Sequence, residues 1–282
     1  MNTAISRDGT PLAFDRAGAG PALILVDGAL CYRESGPNGP LAAILAEHFT
    51  VYTYDRRGRG DSGDTAPYAV DREVEDIEAL IAEAGGSADL YGISSGAALA
   101  LEAAHRGLPI GRLAVYETPF IVDHARAPIP DDYVPRLHEL IAADRRAEAV
   151  TLFMRTGIGL SPLIVTMMQF MPAWSTLKKL AHTLPYDAVI IEAEQKGRPL
   201  SPTRWDAITA PTLVIGGGKS QEWMRNGVRA LAAVLPNAHR QELPGQTHLV
   251  KPKALAPVLL RFFTTDNNQT RGMTVGELDQ KG

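Results

Sequence analysis

Apolar and polar positions along the chain fall into two alternating kinds of stretch. One is a short continuous apolar run, the other a longer segment with apolar residues at helical spacing. The chain opens differently: residues 5–15 read as a hairpin turning at Asp8-Gly9, a dipeptide suited to that role. Ala22-Leu23-Ile24-Leu25-Val26 is a run of the sort found in a strand buried on both faces. Further strands are predicted at 50–55, from Ala88 into the Gly92–Gly96 stretch, and at 113–117, 211–215 and 239–243. Helical segments fall near 41–48, after Gly96, at 223–235 and at 253–263. Between 70 and 84, Val70, Val74, Ile77, Leu80, Ile81 and Ala84 recur at helical spacing, with acids expected on the other face. Strands that alternate with helices predict an α/β fold with a doubly wound, mostly parallel sheet.

Residues 120–205 break the rhythm. They look helical, carry Pro128, Pro130, Pro135, Pro162, Pro172 and Pro185, and show no clear strand. The expected organisation is a core made of 1–119 and 206–263 with a helical cap of 120–205 inserted in it. Residues 264–282 lack periodicity and are expected to be mobile. No charged residue lies between Arg155 and Lys178. Yet Ser161, Pro162, Gln169, Pro172 and Ser175 cut the apolar run below the roughly 20 residues that a membrane span needs. Cap helices packed on one another are the simpler expectation. Met167, Met168 and Trp174 are candidates to line an apolar substrate pocket there, because Met fills irregular sites well.

Composition narrows the class. The 282 residues, 45% of them hydrophobic, can bury a sizeable core. Twenty-eight basic and thirty-two acidic residues give a net charge of −4, with no basic stripe to suggest nucleic acid. The single cysteine, Cys31, leaves no intramolecular disulfide framework. With no positive-then-apolar leader after Met1, a cytoplasmic protein is expected. Asn268-Gln269-Thr270 is then a chance glycosylation match. Neither metal-ligand spacing nor a phosphate-cradling loop occurs, and Gly216-Gly217-Gly218 lacks the G-x-G-x-x-G pattern, so no metal and no cofactor is expected.

The chemistry centres on Gly92-Ile93-Ser94-Ser95-Gly96, where an apolar strand passes straight into an Ala/Leu-rich helix. That is the context in which G-x-S-x-G forms a nucleophile elbow. The turn is tight enough that side chains two residues either side of the nucleophile would clash. Gly92 and Gly96 fill those places if Ser94 is the nucleophile, whereas Ser95 would put Ile93 at one of them. Three further features occur along the chain: the turn Asp27-Gly28-Ala29, the loop Asp55-Arg56-Arg57-Gly58-Arg59-Gly60-Asp61-Ser62, and His248 near the C-terminus. Together and in this order they resemble the α/β-hydrolase fold, over roughly residues 1–263 apart from the cap. The second is close to that family's D-x-R-G-x-G-x-S loop.

The resemblance implies a triad of Ser94, a histidine base and a carboxylate. His248 is the histidine in a loop after the final strand, where the family places its base; His48, His105, His124, His138, His182 and His239 lie elsewhere. The usual acid follows the strand after the cap, but there the sequence reads Gly218-Lys219-Ser220-Gln221, with Ser220 where an Asp is usual. Some superfamily members, including certain haloalkane dehalogenases, carry the acid after the strand that follows the elbow helix. Glu117 ends that strand, at a carboxyl end where open parallel sheets place their chemistry. Glu222 and Asp123 are the alternatives. An oxyanion hole is expected from the backbone N–H groups of Ala29 and Ser95.

Asp27 stands where family members often have His. Either it braces the loop through backbone hydrogen bonds, with Arg33, Arg56 or Arg57 as ionic partners, or it contacts a donor on the substrate. Cys31 lacks an elbow and reads as a packed thiol. A serine elbow with a histidine base suits acyl transfer on an ester, thioester or lactone. The expected partner is therefore a small, largely apolar molecule. Two rivals stay open: a ligand-binding protein that has lost the chemistry, and a carbon–carbon bond hydrolase or cyclisation enzyme with the same residues. Labelling of Ser94 by a fluorophosphonate separates the first from an enzyme.

Overall fold

A computed structural model describes residues 2–265. The tail expected at 264–282 lies, after Thr265, outside the described residues. In the hairpin, β1 (Asn2–Ile5) pairs antiparallel with β2 (Pro11–Ala17), and Gly9 takes φ +85° in the connecting turn. There follow β3 (Ala22–Val26), α1 (Asn38–Leu45), β4 (Thr50–Tyr54), α2 (Val70–Glu83), β5 (Ala88–Ile93), α3 (Ser95–His105) and β6 (Ile110–Tyr116). Farther along the chain come β7 (Thr212–Gly217), α9 (Glu222–Val234), β8 (Ala238–Leu243) and α10 (Pro252–Thr264). The sheet runs β1-β2-β4-β3-β5-β6-β7-β8, with β1–β2 and β2–β4 antiparallel and the other five pairs parallel.

The continuous apolar runs split cleanly between the two faces of this sheet, because successive side chains in a strand point to opposite sides. Ile24, Val26, Leu90, Leu113 and Val115 join the cluster under α2, α3 and α9. Leu23, Leu25, Tyr91, Ala114 and Tyr116 join the one under α1 and α10. Helix α3 is buried from Ser95 to Ala104, which accounts for its Ala/Leu composition. Helix α2 departs from the expected pattern: Glu73 and Asp76 are buried beside Val74, Ile77, Leu80 and Ile81 instead of facing water. Buried acids need partners. Arg56 is bidentate on Glu73 at 2.7 and 2.7 Å, and Arg57 on Asp76 at 2.8 and 2.6 Å. The loop after β4 is thereby clamped to α2.

Between β6 and β7 the regular structure is helical: α4 (Tyr133–Ala142), α5 (Arg146–Leu152), a π-turn at Phe153–Ile158, α6 (Pro162–Met168), α7 (Ala173–Leu180) and α8 (Leu184–Ile191). These helices share an apolar cluster with Leu30, which follows β3, and with Trp223 and Met224 of α9. Among the described residues no helix is long and apolar enough to cross a membrane.

Candidate active site

Strand β5 ends at Ile93 and α3 starts at Ser95, leaving Ser94 alone in the turn with φ +59° and ψ −128°. A non-glycine residue there is under backbone strain, of the kind that concentrates at functional sites. The turn is held on both sides. The Ser94 amide donates to the Tyr116 carbonyl at 2.9 Å. A Cβ on Gly92 would sit 2.5 Å from the Gly96 carbonyl oxygen, and one on Gly96 only 2.4 Å from that of Asp27. The two serines differ in their surroundings. Ser95 is 2% exposed and its hydroxyl donates to Asp187 Oδ1 at 2.7 Å, whereas Ser94 is half-buried at the amino end of α3.

Glu117 follows β6 directly, with φ +47° and its side chain fully buried. Its carboxylate is surrounded by donors. Oε1 accepts from the Gly217 amide at 2.7 Å and from the Ser220 hydroxyl at 2.5 Å, while Oε2 lies 2.9 Å from Nδ1 of His248. Ser220 thus occupies the place where a carboxylate was expected and supports one that comes from the neighbouring strand. The His248 loop is tied to β6 a second time, since the Tyr116 hydroxyl donates to the Thr247 carbonyl at 2.6 Å. Burial, and then the Glu117 charge, hold that phenol protonated. Asp123 and Glu222 lie elsewhere, lining a surface cleft of about 550 Å³, and Asp123 is engaged with Asn226.

The Asp27-Gly28-Ala29 turn reaches Ser94 from the side of β3. A Cβ on Gly28 would lie 3.0 Å from Ser94 Cβ and 3.6 Å from its Oγ, so the backbone here passes as close to the serine as glycine allows. Neither the Ala29 nor the Ser95 amide donates to another backbone group among the described residues. Asp27 itself turns away from this approach. Its carboxylate oxygens would both stand 3.1 Å from a Cβ on Gly36, and Oδ1 has no partner. None of the arginines expected to pair with it does so. Arg33 takes Asp15, Asp55 and Asp61, Arg56 takes Glu73 and Asp187, and Arg57 takes Asp76 and Asp8. Burial pushes the Asp27 carboxyl up to about 7, against the opposing pull of the Arg59 and Arg56 charges. Burial likewise pushes the nearby Cys31 thiol up to about 12, so it stays protonated.

Met167, Met168 and Trp174, the candidates to line a substrate pocket, do not share one environment. Trp174 is buried in the cluster that the helices between β6 and β7 share with Leu30, Trp223 and Met224, Met168 packs against that cluster half-buried, and Met167 is 64% exposed. Sequence reasoning did not find Ser220 as a support, Tyr116 as a tether, or Asp187. For Asp187 a signal existed: it is the one carboxylate between Lys179 and Glu192, in an otherwise apolar helix.

A family model described as the alpha/beta hydrolase family matches residues 12–258. The chain belongs to the alpha/beta hydrolase family. Among solved structures it is similar to an alpha/beta hydrolase from Sphaerobacter thermophilus DSM 20745, at 51% identity and a TM-score of 0.86, covering 93% of this chain and 100% of that one. It also resembles the enol-lactonase from Burkholderia xenovorans LB400, at 24% identity and a TM-score of 0.68, covering 94% and 100% of the two chains. A putative lipase from Acinetobacter baumannii AYE shares 17% identity with a TM-score of 0.65, over 93% and 90%. These last two likenesses are of fold. Within the alpha/beta hydrolase sheet, Ser94, Glu117 and His248 follow β5, β6 and β8, all at the carboxyl ends of parallel strands.

Proposed function

We propose that the protein is a serine hydrolase working by acyl transfer on a small, largely apolar ester, thioester or lactone. In this reading Ser94 is the nucleophile, His248 its base and Glu117 the acid that orients the base. The observation that carries it is the buried Glu117 carboxylate 2.9 Å from His248 Nδ1, beside a serine held at φ +59° on a strand–helix elbow. A carboxylate so placed keeps the imidazole proton on Nδ1, leaves Nε2 as the basic nitrogen, and stabilises the imidazolium once it forms. Ser94 Oγ has no hydrogen-bond partner among the described residues, which leaves it able to turn to Nε2; such bonds are often long before substrate binds.

His248 takes the Ser94 proton as Oγ attacks the carbonyl carbon. The tetrahedral oxyanion is received by the Ala29 and Ser95 amides, at the positive end of α3. The imidazolium then gives its proton to the departing alkoxide or thiolate, leaving an acyl-serine. Water, deprotonated by the same histidine, releases the acid. The test is fluorophosphonate labelling of wild type and Ser94→Ala. The wild type should be modified on Ser94 and the variant not at all. A wild type that resists labelling from about pH 6 to pH 9, where a histidine base is available, sinks the proposal. A chain-length series of p-nitrophenyl esters then bounds the acyl pocket.

A further inference from the structure

The insertion sends one carboxylate down to the elbow. Asp187 of α8 is 1% exposed, and each of its oxygens is taken. Oδ1 accepts from Ser95 Oγ and from Arg56 Nη1, both at 2.7 Å, and Oδ2 accepts from Arg59 Nη2 at 2.7 Å. Arg59 spends its other terminal nitrogen on the Gly28 carbonyl, Nη1 donating at 2.7 Å, and Arg56 Nη1 also reaches the Asp27 carbonyl at 3.3 Å. Both arginines are 1% exposed. With Glu73, which Arg56 also holds, the cluster has two cations and two anions, so it places no net charge beside the elbow. Burial alone would raise the Asp187 carboxyl, but the Arg59 and Arg56 charges outweigh it and keep the group ionised.

This cluster touches one of the two peptide groups that the proposed reaction needs, at the Gly28 carbonyl, and holds the side chain of the residue that carries the other. In a planar trans peptide the C=O and N–H point in opposite directions. By holding the Gly28 carbonyl, Arg59 fixes the plane of the Gly28–Ala29 peptide and turns the Ala29 N–H to the opposite side. Gly28 lies against Ser94, so the rotation of this one peptide decides whether that N–H faces the reacting centre. The second donor, the Ser95 amide, belongs to the residue whose hydroxyl Asp187 holds. We infer that Asp187 is a positioning residue which, through Arg59 and the Ser95 hydroxyl, sets the two oxyanion-binding amides, so that the oxyanion hole is complete only with α8 seated on the elbow. The inference rests on the serine-hydrolase reading above.

The test compares Asp187→Asn, Arg59→Lys and Ser95→Ala with wild type. Arg59→Lys keeps the charge but cannot bridge Gly28 and Asp187 at once, and Ser95→Ala keeps the amide while cutting its tether. Active sites are first counted by fluorophosphonate titration, and kcat and KM for p-nitrophenyl butyrate are then expressed per titrated site. A trifluoromethyl ketone, whose serine adduct carries the oxyanion, is measured alongside. Losing one oxyanion donor costs about 10²–10³ in kcat; misaligning one should cost about 10- to 100-fold, with KM moving by less than about threefold. The ketone's inhibition constant should rise in parallel with the loss of kcat/KM.

A purely structural staple would lower the number of titratable sites and leave the rate per site alone. Rates per site within about threefold of wild type in Arg59→Lys and Ser95→Ala therefore overturn the inference, even if Asp187→Asn fails to fold. If the wild type is labelled and Ser94→Ala is not, that failure leaves the hydrolase reading standing. A wild type that never labels takes both down.

Discussion

Glu117→Gln is the most informative single change, because the surrounding donors dictate how the new amide must lie. Oε1 of Glu117 faces two hydrogen-bond donors, the Gly217 amide and the Ser220 hydroxyl, and the first of these cannot reverse its role. An NH₂ group placed there would set N–H against N–H in a buried site, at a cost of about 1–3 kcal/mol. The glutamine must therefore keep its oxygen toward Gly217 and present its NH₂ to Nδ1 of His248. That nitrogen then has to accept, the proton moves to Nε2, and the base no longer has a lone pair for Ser94. The same wrong-tautomer substitution in a serine protease costs about 10⁴ in kcat, or about 5 kcal/mol of transition-state stabilisation.

The assay is p-nitrophenyl butyrate hydrolysis under saturating substrate, with the fold checked by near-ultraviolet circular dichroism. The expected result is a fall in kcat of about 10³–10⁴ with KM little changed. Replacing an anion by an amide at φ +47° preserves side-chain shape and backbone strain, so loss of folding is not expected to supply the effect. A fall in kcat of less than about tenfold in a folded variant would refute the assignment of Glu117 to the triad.

Other substitutions probe the supports around this pair. Tyr116→Phe removes the tie to the Thr247 carbonyl, and should lower kcat by about tenfold through a looser His248 loop while fluorophosphonate still reaches Ser94; an unchanged kcat would show that the tie is dispensable. Ser220→Ala takes one of two donors from Glu117 Oε1 and should cost less than Glu117→Gln, about tenfold in kcat, which the same ester assay checks. Asp27→Asn addresses stability: with the folded carboxyl at about 7 and an ordinary value of 3.8, the native state binds the extra proton between those pH values, so wild-type stability falls as pH rises through that window. The variant should therefore gain on wild type from about pH 4 to pH 7, by up to about 4 kcal/mol in urea unfolding; a gap that does not change with pH contradicts the assignment.

What the sequence made legible was whatever depends on near neighbours in the chain. The Gly92–Gly96 spacing is a steric requirement of one turn, and the missing Cβ space is found at both glycines. The strands were readable because apolar runs buried on both faces look alike wherever they occur, and Glu117 because a strand end is a local feature. The supporting contacts are of another kind. Ser220 lies 103 residues from Glu117, and Asp187 is 92 from Ser95 and 131 from Arg56. No periodicity reports pairings at that range.

The same limit applies to the arginines near Asp27. Arg33, Arg56 and Arg57 were plausible partners for Asp27 by proximity in the chain, but each is more fully satisfied by acids that the fold brings from β2, α2 or α8. With Arg33, Arg56 and Arg57 engaged by other acids, the pull of the Arg59 and Arg56 charges and a hydrogen bond from the Asn38 backbone do not offset burial, and the Asp27 carboxyl holds its proton up to about 7. The charge distribution around the elbow thus follows from competition among acids for three loop arginines. Asp187 wins a share of that competition only when α8 is in place, which is why, in the inference drawn above, α8 bears on the elbow's geometry.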